Sequence, residues 1–187
     1  MVNSSDLVSP KEITNNTELA QRLRRVLLPY DYRISDNEKI IFDEETFHST
    51  RFCTSQPDMT ICHNKYNWAA LIVDGKKTND ISLAGAVTES KSVTTSAKGQ
   101  LYAGMEKLAG AIAYHHFLTG GALFHQITIY GLTMDYSKQL CCGCSITMDF
   151  KAGYSSLKTI PTPFNLSDGI NRLIATLIHE HEHVKFR

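Results

Sequence analysis

Pro57-Asp58-Met59-Thr60-Ile61-Cys62 and Trp68-Ala69-Ala70-Leu71-Ile72-Val73 are the two runs on which the fold turns. The first alternates in the manner of a half-buried strand entered at a proline, and the second is an aliphatic run the length of a buried strand. His63-Asn64-Lys65-Tyr66-Asn67 between them reads as a turn, so the pair predicts a β-hairpin. After Asp74-Gly75 the polar stretch 76–80 predicts a second turn. Residues 81–91 then read as a further extended segment, with Gly85 as a bulge position.

Helical patterns flank these runs. Leu19, Leu23, Val26 and Leu27 recur at helical spacing behind Asn16-Thr17, Arg22, Arg24 and Arg25 fall largely on the other face, and Pro29 stops the helix. A short strand is expected at 39–42. From Gln100, the spacing of Leu101, Met105, Leu108, Ile112 and Ala113 predicts a second helix, ending at Thr119-Gly120-Gly121. Two β-rich runs, 125–135 and 145–150, predict a hairpin joined across 137–144. Pro161 and Pro163 mark a loop. Ser167 is the expected cap of a last helix whose stripe is Ile170, Leu173, Ile174, Leu177 and Ile178. An order of α, several β, α, ββ, α predicts one α/β domain over 16–187, a mixed β-sheet flanked by helices, behind a flexible polar segment at 1–15.

Composition narrows the function classes. At 187 residues and 42% hydrophobic the chain can bury one sizeable core. No run approaches the ~20 apolar residues of a membrane span, so none is expected. Residues 1–10 lack a basic and an apolar region of the secretory kind, which points to an intracellular protein of cytoplasm or nucleus. Lys plus Arg equals Asp plus Glu at 19 each, so no global charge draws the chain to nucleic acid, although a local basic groove beside acidic groups fits the same total. Five cysteines, an odd number without an export signal, argue for reduced thiols.

Four residues form a chemically coherent set: Asp58 entering one strand, Glu89 and Lys91 two apart on a later one, and Gln100 opening the next helix. Strand alternation puts Glu89 and Lys91 on one face, while the Ser90 carbonyl between them can still turn to a metal. Two carboxylates and a carbonyl are hard oxygen donors suited to Mg²⁺ or Mn²⁺, and a lysine beside a metal-bound water can position it and offset phosphorane charge.

In these residues the sequence resembles the PD-(D/E)XK nuclease superfamily, in which a Pro-Asp opens one strand and a Glu-x-Lys lies on the neighbour. Here they are Pro57-Asp58 and Glu89-Ser90-Lys91. Similarity to the restriction endonuclease-like and RecB-like branches extends to Gln100-Leu101-Tyr102-Ala103, which looks like their Gln-led helix motif. Ile129-Tyr130-Gly131-Leu132-Thr133 looks like the strand that follows it. The likeness covers the order of elements over 17–180, with motif identity at about ten positions. It implies a restriction endonuclease-like core, αβββαβ plus additional elements, and a nuclease hydrolysing phosphodiester bonds of DNA or RNA. In that reading Asp58, Glu89 and the Ser90 carbonyl hold Mg²⁺ or Mn²⁺, Lys91 supports the attacking water, and Gln100 orients lysine, water or phosphate. Glu18 stands where some relatives carry a first-helix acid, and it equally suits a first-turn Glu favoured by the helix dipole.

Other assignments compete. Asp74-Gly75-Lys76 closes a shorter hairpin with Asp58 than Glu89 does, whereas Glu89-Ser90-Lys91 leads within a short loop to Gln100. Asp80 is a third choice for the first carboxylate. The same fold with an idle metal site would be a nucleic-acid or protein binding module. A zinc protein would be built on Cys141, Cys142 and Cys144 with Cys53, Cys62 and His63, or on His179-Glu180-His181-Glu182-His183, which fits H-E-x-x-H through His179 and His183. The lone C-x-x-C favours buried or oxidisable thiols, and the terminal histidines favour a solvated helix end.

Overall fold

The computed structural model describes residues 1–9, 12–36, 40–41, 54–55, 57–64, 69–74, 101, 104–110, 113, 126–159 and 164–185. Helix α1 (Glu12–Leu27) runs into a 3-10 turn at Leu28–Tyr30, with Pro29 inside that turn. The strands are β1 (Tyr32–Asp36), β2 (Ile40–Ile41), β3 (Thr54–Ser55), β4 (Met59–His63), β5 (Ala69–Asp74), β6 (Gln126–Asp135), β7 (Leu140–Asp149), β8 (Tyr154–Thr159) and β9 (Phe164–Asn165), and α2 (Leu166–Lys185) follows. Residues 104–110, together with Leu101 and Ala113, are helical and lie in the chain between β5 and β6.

The main sheet has the order β1-β4-β5-β6-β7-β8, with β9 also pairing β7, while β2 and β3 form a separate ribbon. The α/β class and the mixed sheet expected from the sequence are present. β1, β4 and β5 form an antiparallel meander, the chain crosses over through the middle helix, and β6 lies parallel to β5. β6 then pairs antiparallel with β7, and β7 with β8.

Alternation along the strands explains how the layers stack. Leu132 and Met134 on β6, Met59 and Ile61 on β4, Tyr32 and Ile34 on β1 and Cys141 on β7 share one core with Leu19, Leu23 and Leu27 of α1 and Ile170, Leu173, Ile174 and Leu177 of α2. On the opposite face Ile127, Ile129, Cys144, Ile146 and Met148 pack with Leu101, Met105, Leu108 and Ala109. A strand covered on both sides needs apolar residues at both parities, and β6 supplies them. Gly131 is where the middle helix comes closest. A Cβ there would overlap Met105 Sδ and meet Cys144 Sγ at 2.9 Å and Leu101 Cδ2 at 3.0 Å.

Several boundaries depart from the sequence expectation. The 137–144 connection contracts to a turn at 136–139, so Cys141, Cys142 and Cys144 sit within β7. β1 and β8 were not expected at all. Helix α1 starts at Glu12, and Asn16 is a buried acceptor for the Tyr136 hydroxyl at 2.6 Å, not a cap. At α2 the capping oxygen is Asn165 Oδ1, which accepts from the Ser167 N–H at 2.9 Å and the Asp168 N–H at 3.4 Å.

The segment read as a flexible lead-in is tied down. Val2 N–H donates to Asn171 Oδ1 at 2.8 Å and its carbonyl accepts from Asn171 Nδ2 at 3.0 Å, while Ser4 N–H donates to Ser167 Oγ at 2.9 Å. Val2 and Leu7 are buried in the core with α1 and α2. Arg22 and Arg24 are likewise engaged: Arg22 donates to Glu18 at 2.8 Å and to the Asn3 carbonyl, and Arg24 to the Ile34 carbonyl and the Asp36 carboxylate. Among the described residues no helix is long and apolar enough to cross a membrane.

Because Met105 is fully buried and cannot swing into solvent, Gly131→Ala is expected to destabilise the protein by about 1–3 kcal/mol, the ordinary cost of overpacking a close contact. Urea unfolding followed by circular dichroism measures it, and an unchanged midpoint would contradict the tight approach.

Candidate functional site

Two ends of the sheet carry chemistry. At one, β1 ends at Asp36, β5 at Asp74 and β6 at Asp135, and β4 begins at Met59. Asp58 is a half-buried bend residue immediately before β4. The last antiparallel pair of β4 and β5 is Met59 with Ile72, so continuing the register sets Asp58 across from Val73 and Asp74 across from Pro57, one position apart at the same end of the sheet. β5 and β6 are parallel and both finish here, and the carboxyl ends of parallel strands are where open α/β sheets place ligands.

Asp135 and Glu18 are each paired where they stand. Asp135 is buried and closes the β6–β7 turn by accepting from Ser137 Oγ at 2.6 Å and the Lys138 N–H at 3.0 Å, with Lys138 Nζ at 3.8 Å. Glu18 is in an i,i+4 ion pair with Arg22. Asp80, Glu89, Ser90, Lys91 and Gln100, with Lys76 of the competing assignment, lie outside the described residues.

At the opposite end, His63 closes β4 beside Tyr32 in the register. It is 2% exposed and His181 of α2 is 4% exposed, and His63 Nε2 and His181 Nδ1 are 2.9 Å apart. Tyr32 meets His63 edge-on at 4.9 Å between centroids and donates its hydroxyl to the Leu177 carbonyl at 2.8 Å. Tyr130 donates to Glu180 Oε1 at 2.8 Å.

This arrangement puts the middle histidine of the run, and not His179, against β4. His181, the middle histidine, is the buried one, while His179 is exposed and Glu180 is occupied by Tyr130. The signal was present in the sequence, since His181 lies four residues past Leu177 and continues the Ile170, Ile174, Leu177 stripe, which His179 and His183 do not. That His63 would meet it was not legible, because their contact joins residues 118 apart in the chain.

The cysteines are also resolved. Cys141 and Cys144 have opposite strand parity: Cys141 packs by Gly169 of α2, whereas Cys144 Sγ lies 3.2 Å from Met105 Sδ on the other face. A C-x-x-C split across a sheet cannot hold one metal ion, so these two act as small buried hydrophobes.

Comparison with protein-family models, with curated proteins and with solved structures finds no match for this chain.

Burial sets the alkaline behaviour of the molecule. The Cys141 thiol is pushed from 9.0 up to about 12, chiefly by desolvation and then by neighbouring Cys142. Tyr32 and Tyr130 are raised above the ordinary phenol value by desolvation first and by Glu180 second. Each group holds its proton more tightly in the folded state. Their contribution to stability is therefore complete below the unfolded-state values and is lost as pH rises through the folded ones. Stability in urea is expected to decline between pH 9.0 and about pH 12, with a shallower decline in Cys141→Ala. A flat profile across that window would contradict the burial of these groups.

Proposed function

We propose that this chain is a divalent-metal-dependent nuclease with a restriction endonuclease-like core, hydrolysing phosphodiester bonds of nucleic acid. The observation that carries the reading is the juxtaposition of Asp58 with Asp74 at one edge of an α-βββ-α-β arrangement. The resemblance requires a Pro-Asp at the opening of one strand and an acid-x-lysine on the strand beside it. β4 opens behind Pro57-Asp58, and β5, hydrogen-bonded to it, ends in Asp74 with Gly75 and Lys76 next in the chain.

Asp74 is the acid that the described strands bring within one register position of Asp58, so Asp74 and Lys76 are taken first as its partners, ahead of Glu89 and Lys91. The donor set fits a hard ion: two carboxylates from neighbouring strand ends, one on a half-buried bend that water and a phosphate can reach. Asp58 and Asp74 would hold Mg²⁺ or Mn²⁺, which supplies a more acidic water and neutralises charge on phosphate oxygens. The lysine adds a fixed positive charge beside that water, placed to orient it and to offset the charge developing on the phosphorane. Glu89, the Ser90 carbonyl, Lys91 and Gln100 form the competing set, and both sets share Asp58.

The test is cleavage of single- and double-stranded DNA and RNA in Mn²⁺, in Mg²⁺ and in EDTA. Cleavage is expected with either ion and none in EDTA, and Asp58→Asn should lower the rate at least ~100-fold. Lys76→Ala should lower it on the same scale while Lys91→Ala changes little. The reverse pattern moves the site to Glu89 and Lys91. Cleavage indifferent to EDTA contradicts the mechanism, and metal-dependent binding of nucleic acid without cleavage identifies an idle fold that serves as a binding module.

A further inference from the structure

Away from Asp58, at the other end of the sheet, three side chains from separate elements converge. Asp31 ends the 3-10 turn in the left-handed conformation, with φ of 58°, and its carbonyl accepts from the Asn64 N–H at 2.8 Å, which fixes the turn against the residue after β4. His63 is the last residue of β4, and His181 lies four residues from the end of α2. A carboxylate oxygen of Asp31 and one ring nitrogen from each histidine all lie within 4.8 Å of one another.

The two imidazoles are buried, so their polar atoms need partners. Between them His63 Nε2 and His181 Nδ1 make one 2.9 Å contact, which has room for a single proton. His181 Nε2, equally buried, has no hydrogen-bond partner among the described residues. The ring nitrogens that face each other, His63 Nε2 and His181 Nδ1, are the pair an ion would join, and His181 Nε2 would then carry its proton outward to a water. The walls favour a fixed geometry, since Tyr32 stands edge-on to His63 and Tyr30 stands edge-on to His181 at 5.7 Å.

We propose that Asp31, His63 and His181 form a zinc site that staples the last turns of α2 to the end of β4 and to the turn before β1. Two imidazoles and one carboxylate are a borderline donor set, suited to Zn²⁺ and poorly suited to Mg²⁺. Tetrahedral zinc with bonds of about 2.0–2.1 Å sets its nitrogen ligands roughly 3.3 Å apart, so the present 2.9 Å contact has to open only by a few tenths of an ångström. Asp31 is exposed and can close from its side, leaving the fourth position to water. This site is separate from the Asp58 edge, and neither depends on the other.

The full chain, stripped with chelator and dialysed, is titrated with Zn²⁺ alone by calorimetry, and with Co²⁺ for its visible absorption. One zinc per chain is expected, with tetrahedral cobalt bands and a melting temperature raised by zinc. Asp31→Ala, at an exposed position, should weaken zinc at least ~10-fold, the range known even for residues one step removed from a metal, while the circular dichroism of the folded chain is retained. His63→Gln should abolish the cobalt bands. His179→Ala combined with His183→Ala should leave binding unchanged. The proposal is overturned if the folded wild type takes up no stoichiometric zinc, if Asp31→Ala binds as the wild type does, or if the His179 and His183 variant loses the ion.

Discussion

Everything in this molecule is arranged around β6 being covered on both faces. Its parallel pairing with β5 demands a crossover, and the crossover brings the middle helix onto the face opposite α1 and α2. Gly131 makes that possible, because any side chain there would occupy the space of Met105. With helices packed on both faces of β6 the ends of the sheet stay open, and the parallel pair determines which end receives the carboxyl termini of β5 and β6. Asp58 and Asp74 fall at the same end of the sheet as a consequence of topology, not of local sequence.

The two ends differ in donor chemistry. One offers Asp58 on a half-buried bend, and the other offers imidazoles beside tyrosine rings with a single carboxylate at the rim. α2 spans the distance between them. Its first turn is held by Asn165 and by Ser4 through Ser167, and its last turns carry Glu180 and His181 to the imidazole end.

Legibility in the sequence followed periodicity. The stripes of α1 and α2 and the β4–β5 and β6–β7 hairpins were readable because burial there repeats at 3.6 or 2 residues. β1 was not, because Arg33 is exposed within a five-residue strand that follows a proline turn. β8 shows mostly Ser and Lys to solvent, and it exists as a strand through its register with β7. Cys141 to Cys144 were assigned to a turn because Gly143 and the run of cysteines resemble one, whereas the turn is made by Gln139 at φ 54°. Residues 1–9 have no pattern at all, and their order comes from hydrogen bonds to Asn171 and Ser167 more than 160 positions away. Of the candidate site, Asp58 and its competing partner Asp74 could be named from the sequence. Their proximity came from strand register, and the histidine pair from a helix returning to the far end of β4.

The central claim is that a hard divalent ion belongs to the Asp58 end of the sheet. Backbone NMR during titration with Mn²⁺ tests it directly, since the paramagnetic ion broadens the amides nearest to it. Early and selective loss of the Asp58, Met59, Asp74 and Met134 signals, with those of Asp31 and His63 retained, is the predicted result. Broadening that begins at Asp31, His63 and His181, or that spreads evenly over exposed carboxylates, would contradict it.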